Sequence, residues 1–248
     1  MKWKSHTAIA RAIAVAADIH GEARQALYLG VIDPDRSPDY QRKVSKNGKN
    51  SFSRAAHHHP STSMVMSYVW EARLAYLAED ECTALRSIGR ALHYVQDKAV
   101  SKGFRGWTHD WRENAISKLE PPVEEVERGF AETESSPEFV RECINQVHNK
   151  KNPQKALRLA TYYSAAIFAA VFSPVENGDE KRKKCLRQYQ RRRRRLIFSL
   201  LLLLVAAGSF VLSVYPLTAG SAGLALLLLI SNHDYRAIKK RASWYGNS

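Results

Sequence analysis

Five consecutive arginines, Arg191–Arg195, run directly into twenty residues without a charge, Leu196–Tyr215. A soluble core cannot take both halves of that junction. Guanidinium groups stay charged and need water, whereas a leucine-rich run gains free energy by leaving it. Twenty apolar residues in a helix also match the thickness of a bilayer's hydrocarbon core. Pro216 interrupts the pattern, and a shorter apolar stretch follows, Leu217–Ser231. Residues 196–231 therefore read as a transmembrane helical hairpin. Its small residues (Ala206, Ala207, Gly208, Gly220, Ala222 and Gly223) allow close helix approach. Arg191–Arg195 stand before the first segment, and Lys239, Lys240 and Arg241 follow the second. Positive flanks of this kind stay on the cytoplasmic side. The expectation is a membrane protein with two segments, its N-terminal domain facing the cytoplasm, and residues 232–248 as a cytoplasmic basic tail.

The formal net charge of +14 has the same uneven distribution. Residues 1–175 carry 24 Lys/Arg against 20 Asp/Glu, while residues 176–195 carry 10 against 3. The basic balance belongs to a linker, so a high isoelectric point alone does not argue for a nucleic-acid partner. Cys82, Cys143 and Cys185 form no CxxC pair. That argues against a disulfide framework and against structural zinc on cysteine, and it suits a reducing compartment. In the first twenty residues Arg11, Asp18 and His20 interrupt the apolar pattern, so no secretory signal peptide is expected.

Residues 1–175 read as one helical domain. Apolar residues recur at helical spacing over His6–Leu29, Met64–Glu81, Thr83–Val100, His109–Leu119, Val123–Glu132, Pro137–His148 and Pro153–Phe172. Asp33–Arg54, with Pro34, Pro38 and Gly48, reads as a polar loop. No period-2 strand pattern and no internal repeat is evident. The fold class expected is all-α.

The chemistry lies in histidines paired with carboxylates. His93 and Asp97 stand at i and i+4, as do His109 and Glu113 sixteen residues on. On a helix that spacing puts both members of a pair on one face. Imidazole nitrogen and carboxylate oxygen are zinc ligands, and two such helices can line one cavity. A run of histidines, His57-His58-His59, precedes Pro60, and an acidic stretch carries Asp33, Asp35 and Asp39. Taken singly, each feature fits a solvated helix pair, a polar loop or ordinary turn chemistry.

Together, the order is a histidine near the N-terminus, a Pro-Asp aspartate, a His-x-x-Pro segment, a His-x-x-x-Asp helix and a later His-x-x-x-Glu. That order resembles the zinc-dependent phospholipase C and S1/P1 nuclease superfamily over roughly residues 1–115. The resemblance implies an all-α phospholipase C-like domain and hydrolysis of a phosphodiester at a cluster of zinc ions. Residue by residue, it implies metal ligands at Met1, through its α-amine and carbonyl five positions before the first histidine, and at His6. It further implies Asp35 (with Asp33 as fallback), His57 (with His58 and His59 as alternatives), His93, the bridging Asp97, His109 and Glu113.

On this reading Asp35, His57, His93 and Asp97 hold one ion, Met1, His6 and Asp97 a second, and His109 and Glu113 a third. Asp35 doubles as the general base. The family has a further histidine four to six residues after the His-x-x-x-Asp aspartate. Here Ser101, Lys102 and Gly103 occupy those places, so two or three zinc ions are expected, with His20 or His148 as candidates to substitute. Lys98, Lys102 and Arg105 are candidates to hold the phosphate. Membrane phospholipid is the substrate expected first. A P1-like nuclease acting on single-stranded nucleic acid, with Trp3, Trp107 and Trp111 as stacking platforms, is the second reading. A non-catalytic, membrane-anchored metal-binding domain is the third.

Overall fold

The computed structural model describes residues 1–44, 47, 50–54, 60–102, 106–211, 215–230 and 235–246. They divide into two compact units, Met1–Pro174 and Val175–Ser248. The first unit is helical, as expected. It contains α1 (Trp3–Ala16), α2 (Gly21–Arg36), α3 (Thr62–Leu77), α4 (Glu81–Lys98), α5 (Gly106–Ile116), α6 (Val123–Ala131), α7 (Pro137–Gln146) and α8 (Pro153–Phe172).

The structure revises the reading of this unit in two places. The long N-terminal helix expected from His6 to Leu29 is two helices. Asp18 takes a left-handed conformation (φ 55°) and Gly21 another (φ 59°), and the Ile19 amide folds back onto the Ala14 carbonyl at 2.9 Å. Aspartate and glycine tolerate that region where most residues do not. The expected polar loop contains an antiparallel hairpin, β1 (Tyr40–Val44) with β2 (Asn50–Arg54), in which Tyr40 pairs with Arg54 and Val44 with Asn50. Neither strand alternates apolar and polar residues, so the period-2 signal is absent from both.

Helix α4 is the axis of the unit. Asp80 caps its start by accepting from the Thr83 amide at 3.0 Å. From Ala91 to Asp97 every residue is buried. Helix α2 crosses it at Gly30 and Gly89. A Cβ added at Gly89 would lie 2.8 Å from the Gly30 Cα and the Leu27 carbonyl oxygen, so the two backbones touch with no side chain between them. Helix α8 packs on α4, and its C-terminal half from Ala165 to Val171 is apolar and buried. Arg73, buried on α3, donates to the Val171 carbonyl at 2.5 Å and the Ser173 carbonyl at 3.1 Å, capping the end of α8. Burial lowers its pKa. A backbone bridge between Val100 and Lys150 ties the exit of α4 to the approach to α8.

The second unit contains α9 (Gly178–Val211), α10 (Tyr215–Ile230) and α11 (Tyr235–Trp244), with α10 and α11 both packed on α9. Helix α9 is continuous through the basic linker and is described as far as Val211, Tyr215 already belongs to α10, and residues 212–214 lie outside the described residues. Pro216 lies in the first turn of α10 rather than breaking the pattern. Among the described residues no helix is long and apolar enough to cross a membrane. Close approach of the helices relies on Ser199, Ala206, Ser221 and Ala225, all buried. Gly208, Gly220 and Gly223 face open space.

Candidate metal centre

The groups singled out by spacing converge at the C-terminal half of α4. His93 and Asp97 project from one face of that helix, with the His93 Nε2 3.5 Å from Asp97 Oδ2. From α2, Asp35 brings Oδ1 to 3.8 Å from the same nitrogen. From α1, His6 brings its Nε2 to 3.3 Å from Asp97 Oδ1. The His6 and His93 rings stack with centroids 4.4 Å apart. Ligand atoms of His6, Asp35 and His93 all lie within 4.8 Å of one another.

Both imidazoles are fixed from behind. His93 Nδ1 is 2.9 Å from the Val31 carbonyl oxygen, which can only accept. His6 Nδ1 is 2.6 Å from the Gln96 amide oxygen, and Gln96 is oriented by donating its amide N–H to Ser164 Oγ at 3.2 Å. In a neutral imidazole each of these acceptors assigns the proton to Nδ1, which leaves Nε2 a lone pair. Those lone pairs face the carboxylate oxygens of Asp35 and Asp97, acceptor against acceptor. His93 is fully buried. Burial first, then the neighbouring His6, drives its pKa well below the usual imidazole value, so the ring is neutral and cannot supply the missing proton.

A shared cation would reconcile the lone pairs with the carboxylates. Donors around a tetrahedral zinc with bonds of about 2.0–2.2 Å stand roughly 3.3–3.6 Å apart, which brackets the two shorter separations found here. A donor set of imidazole, carboxylate and amine, with acceptors behind each ring, is the chemistry of a zinc or similar divalent site. The residues fit the metal that the family resemblance implies.

The chain's first residue enters the same cluster. Met1 is buried, and its α-amine contacts the Asp97 carboxylate and lies 2.9 Å from Glu113 Oε1. Burial alone would lower the amine's pKa, but the two carboxylates outweigh it and hold the value above the ordinary one. Glu113 in turn sits 3.1 Å from His109 Nε2 on α5. The α-amine thus joins the buried pair on α4 to the more exposed pair on α5.

Of the eight candidate ligands, Met1, His6, Asp35, His93, Asp97, His109 and Glu113 come together. His57 and its neighbours His58 and His59 lie outside the described residues, as do Gly103 and Arg105 and the side chain of Trp107. Asp33, the fallback for Asp35, is engaged elsewhere, accepting from Arg86 at 2.7 Å and Arg90 at 3.5 Å. Asp39 pairs with Arg90 and accepts from the Tyr94 hydroxyl at 2.6 Å. His20 is exposed and bonded to Asp18, and His148 is exposed. Lys98 donates one ammonium N–H to the Ile144 carbonyl at 2.6 Å.

Spacing alone did not indicate two groups. Gln96 orients His6, and its signal was an amide one residue before Asp97 in a fully buried stretch. Trp3, half exposed, donates its indole N–H to Asp35 Oδ2 at 2.8 Å, with the Arg36 guanidinium over its ring. No family model, no curated protein and no solved structure matches this chain.

Proposed function

We propose that residues 1–174 form a zinc-dependent phosphodiesterase of the phospholipase C type, held at a membrane by the second unit. The observation that carries the reading is the pair of tautomer-fixed histidines, His6 and His93, aiming Nε2 lone pairs at Asp35 and Asp97 across 3.3–3.8 Å. Asp97, with one oxygen toward each histidine, suits a bridging ligand. Zinc held there would supply the positive charge that draws in a phosphodiester and eases attack by water at phosphorus. The chain's own groups do the rest. Asp35, with Oδ2 held by Trp3, presents Oδ1 beside His93 and is placed to take a proton from attacking water. The α-amine of Met1 must release a proton before it can ligate, so metal uptake is coupled to proton loss.

A lipid substrate is favoured by the second unit, where Ile197, Phe198, Leu200, Leu204, Phe210, Leu224 and Leu226 are all exposed. An apolar band of that extent marks a contact with lipid or partner. The hairpin is short, so it would enter the bilayer and return rather than cross by either helix alone. The basic residues at its open end favour an orientation with both chain termini on the cytoplasmic side. Trp3 and Trp111, 46% and 60% exposed, favour a second reading, a single-strand nuclease that stacks bases on these rings.

Elemental analysis of the purified full-length chain, followed by hydrolysis assays on phosphatidylcholine, anionic phospholipids and single-stranded DNA, tests the proposal. At least two equivalents of zinc and chelator-sensitive phospholipid hydrolysis are expected. Hydrolysis of DNA alone selects the nuclease, and bound metal without hydrolysis selects a non-catalytic metal-binding domain. A chain that takes up no divalent metal overturns the assignment.

A further inference from the structure

The second unit sorts its residues by chemistry along one axis. The far half of α9, from Leu196 to Val211, spans roughly 24 Å at 1.5 Å per residue and exposes apolar side chains. The near half carries Lys181, Arg182, Lys183, Lys184, Arg187 and Arg191–Arg195. Helix α11 lies beside this near half, antiparallel to it. The Tyr245 carbonyl is 3.6 Å from where a Gly178 Cβ would stand, and the Lys239 ammonium lies 6.0 Å over the Tyr189 ring. That register sets Lys239, Lys240 and Arg241 in the same basic half as the arginine run. Arg191, Arg193, Arg194, Arg195 and the three α11 cations are all exposed.

We infer that this basic collar is a binding surface for anionic phospholipid headgroups, so that the hairpin enters acidic bilayers in preference to neutral ones. An apolar band alone would partition into any bilayer, because apolar burial does not distinguish headgroups. Cations within a Debye length of the surface, about 8–10 Å, do distinguish them, at about fivefold in partitioning per charge. Arg193, Arg194 and Arg195 adjoin the first apolar residue and fall inside that distance. Lys181, Lys183 and Lys184 stand at least roughly 18 Å from Leu196 along α9 and fall outside it. The collar therefore acts through position rather than total charge. This inference rests on the membrane assignment of the second unit and is independent of any catalysis by the first.

The test is flotation of the detergent-purified full-length chain with vesicles of phosphatidylcholine alone or of phosphatidylcholine containing phosphatidylglycerol, in chelator so that the metal centre plays no part. The wild type should partition at least about a hundredfold more strongly into the acidic vesicles, and the preference should fall as salt rises. The triple change Arg193→Gln, Arg194→Gln, Arg195→Gln should remove most of that preference while leaving partitioning into neutral vesicles unchanged. Lys181→Gln, Lys183→Gln, Lys184→Gln, which removes the same charge, should leave it within about twofold. Circular dichroism checks that both variants stay helical. Equal partitioning into the two vesicle types overturns the inference, and so does equal loss in the two triple variants. Binding of single-stranded RNA that depends on Arg193–Arg195, without any vesicle preference, would assign the collar to nucleic acid instead.

Discussion

The His93/Asp97 and His109/Glu113 pairs share one spacing but occupy different surroundings. The first lies on an 18-residue helix with its side chains 0% and 5% exposed. The second lies on an 11-residue helix with 17% and 16% exposure. His93 has the Val31 carbonyl behind its ring, and its partner histidine has Gln96. Fixed ligands lose little freedom when a metal arrives, whereas mobile ones must be ordered at that moment. The i, i+4 motif therefore marks the potential for ligation, and the burial of the helix decides how strongly that potential is expressed.

The largest expected effect comes from removing the carboxylate that both buried histidines face. Asp97→Asn should abolish tight zinc binding at the α4 cluster and destabilise the metal-free fold by about 3 kcal/mol, since it leaves a buried ammonium short of a partner. Calorimetric zinc titration and denaturant melts would read both. Retention of two tight equivalents would break the comparison.

Gly89→Ala tests whether the helix crossing supports the buried pair. The new methyl must displace backbone at 2.8 Å, for an expected loss of about 2–3 kcal/mol. Zinc affinity should drop at the α4 cluster and stay unchanged at His109/Glu113. An extra residue joined ahead of Met1 acts on the link between the pairs. It should weaken one zinc equivalent about tenfold or more by displacing the α-amine, whereas a C-terminal extension should not. Indistinguishable titrations of the two forms would remove Met1 from the ligand set. His109→Ala should loosen only the most weakly held ion and change stability by less than about 0.5 kcal/mol.

The smallest effect is the pH dependence of the metal-free chain. The folded-state pKa of His93 is depressed, so the unfolded chain binds more protons below about 6.5, and stability should fall as pH drops through that value. The Met1 amine is shifted upward. Its contribution is fully present below the unfolded value of about 8 and is lost as pH rises through the folded one. Thermal melts in chelator should show a plateau between about pH 6.5 and 8 with a decline of a few degrees on each side. Asp97→Asn should flatten the alkaline decline.

The helical framework was largely legible because apolar spacing on α4, α6, α7 and α8 follows one period. The pairs on α4 and α5 were legible from their i, i+4 spacing, whereas Met1, His6 and Asp35 came only from the family resemblance. The break at Asp18 was not, since one residue's left-handed turn leaves the surrounding apolar pattern intact. Nor was the hairpin at 40–54, which is specified by a backbone ladder rather than by side-chain alternation. Gln96 and Trp3 escaped because their roles depend on which ring or carboxylate lies opposite, and one chain read alone does not contain that information.

The contact between Gly30 and Gly89 has a mechanical consequence. Two helices touching backbone to backbone cannot slide past each other by a turn, but they can rock about the point of contact. Asp35 lies five residues beyond that point on α2, and His93 four residues beyond it on α4, so each lever arm is only about 6–8 Å long. A rocking of roughly 5° therefore moves either group by less than about 1 Å. The fulcrum stands so close to the ligands that distortion arriving at the far ends of α2 or α4 reaches them strongly reduced.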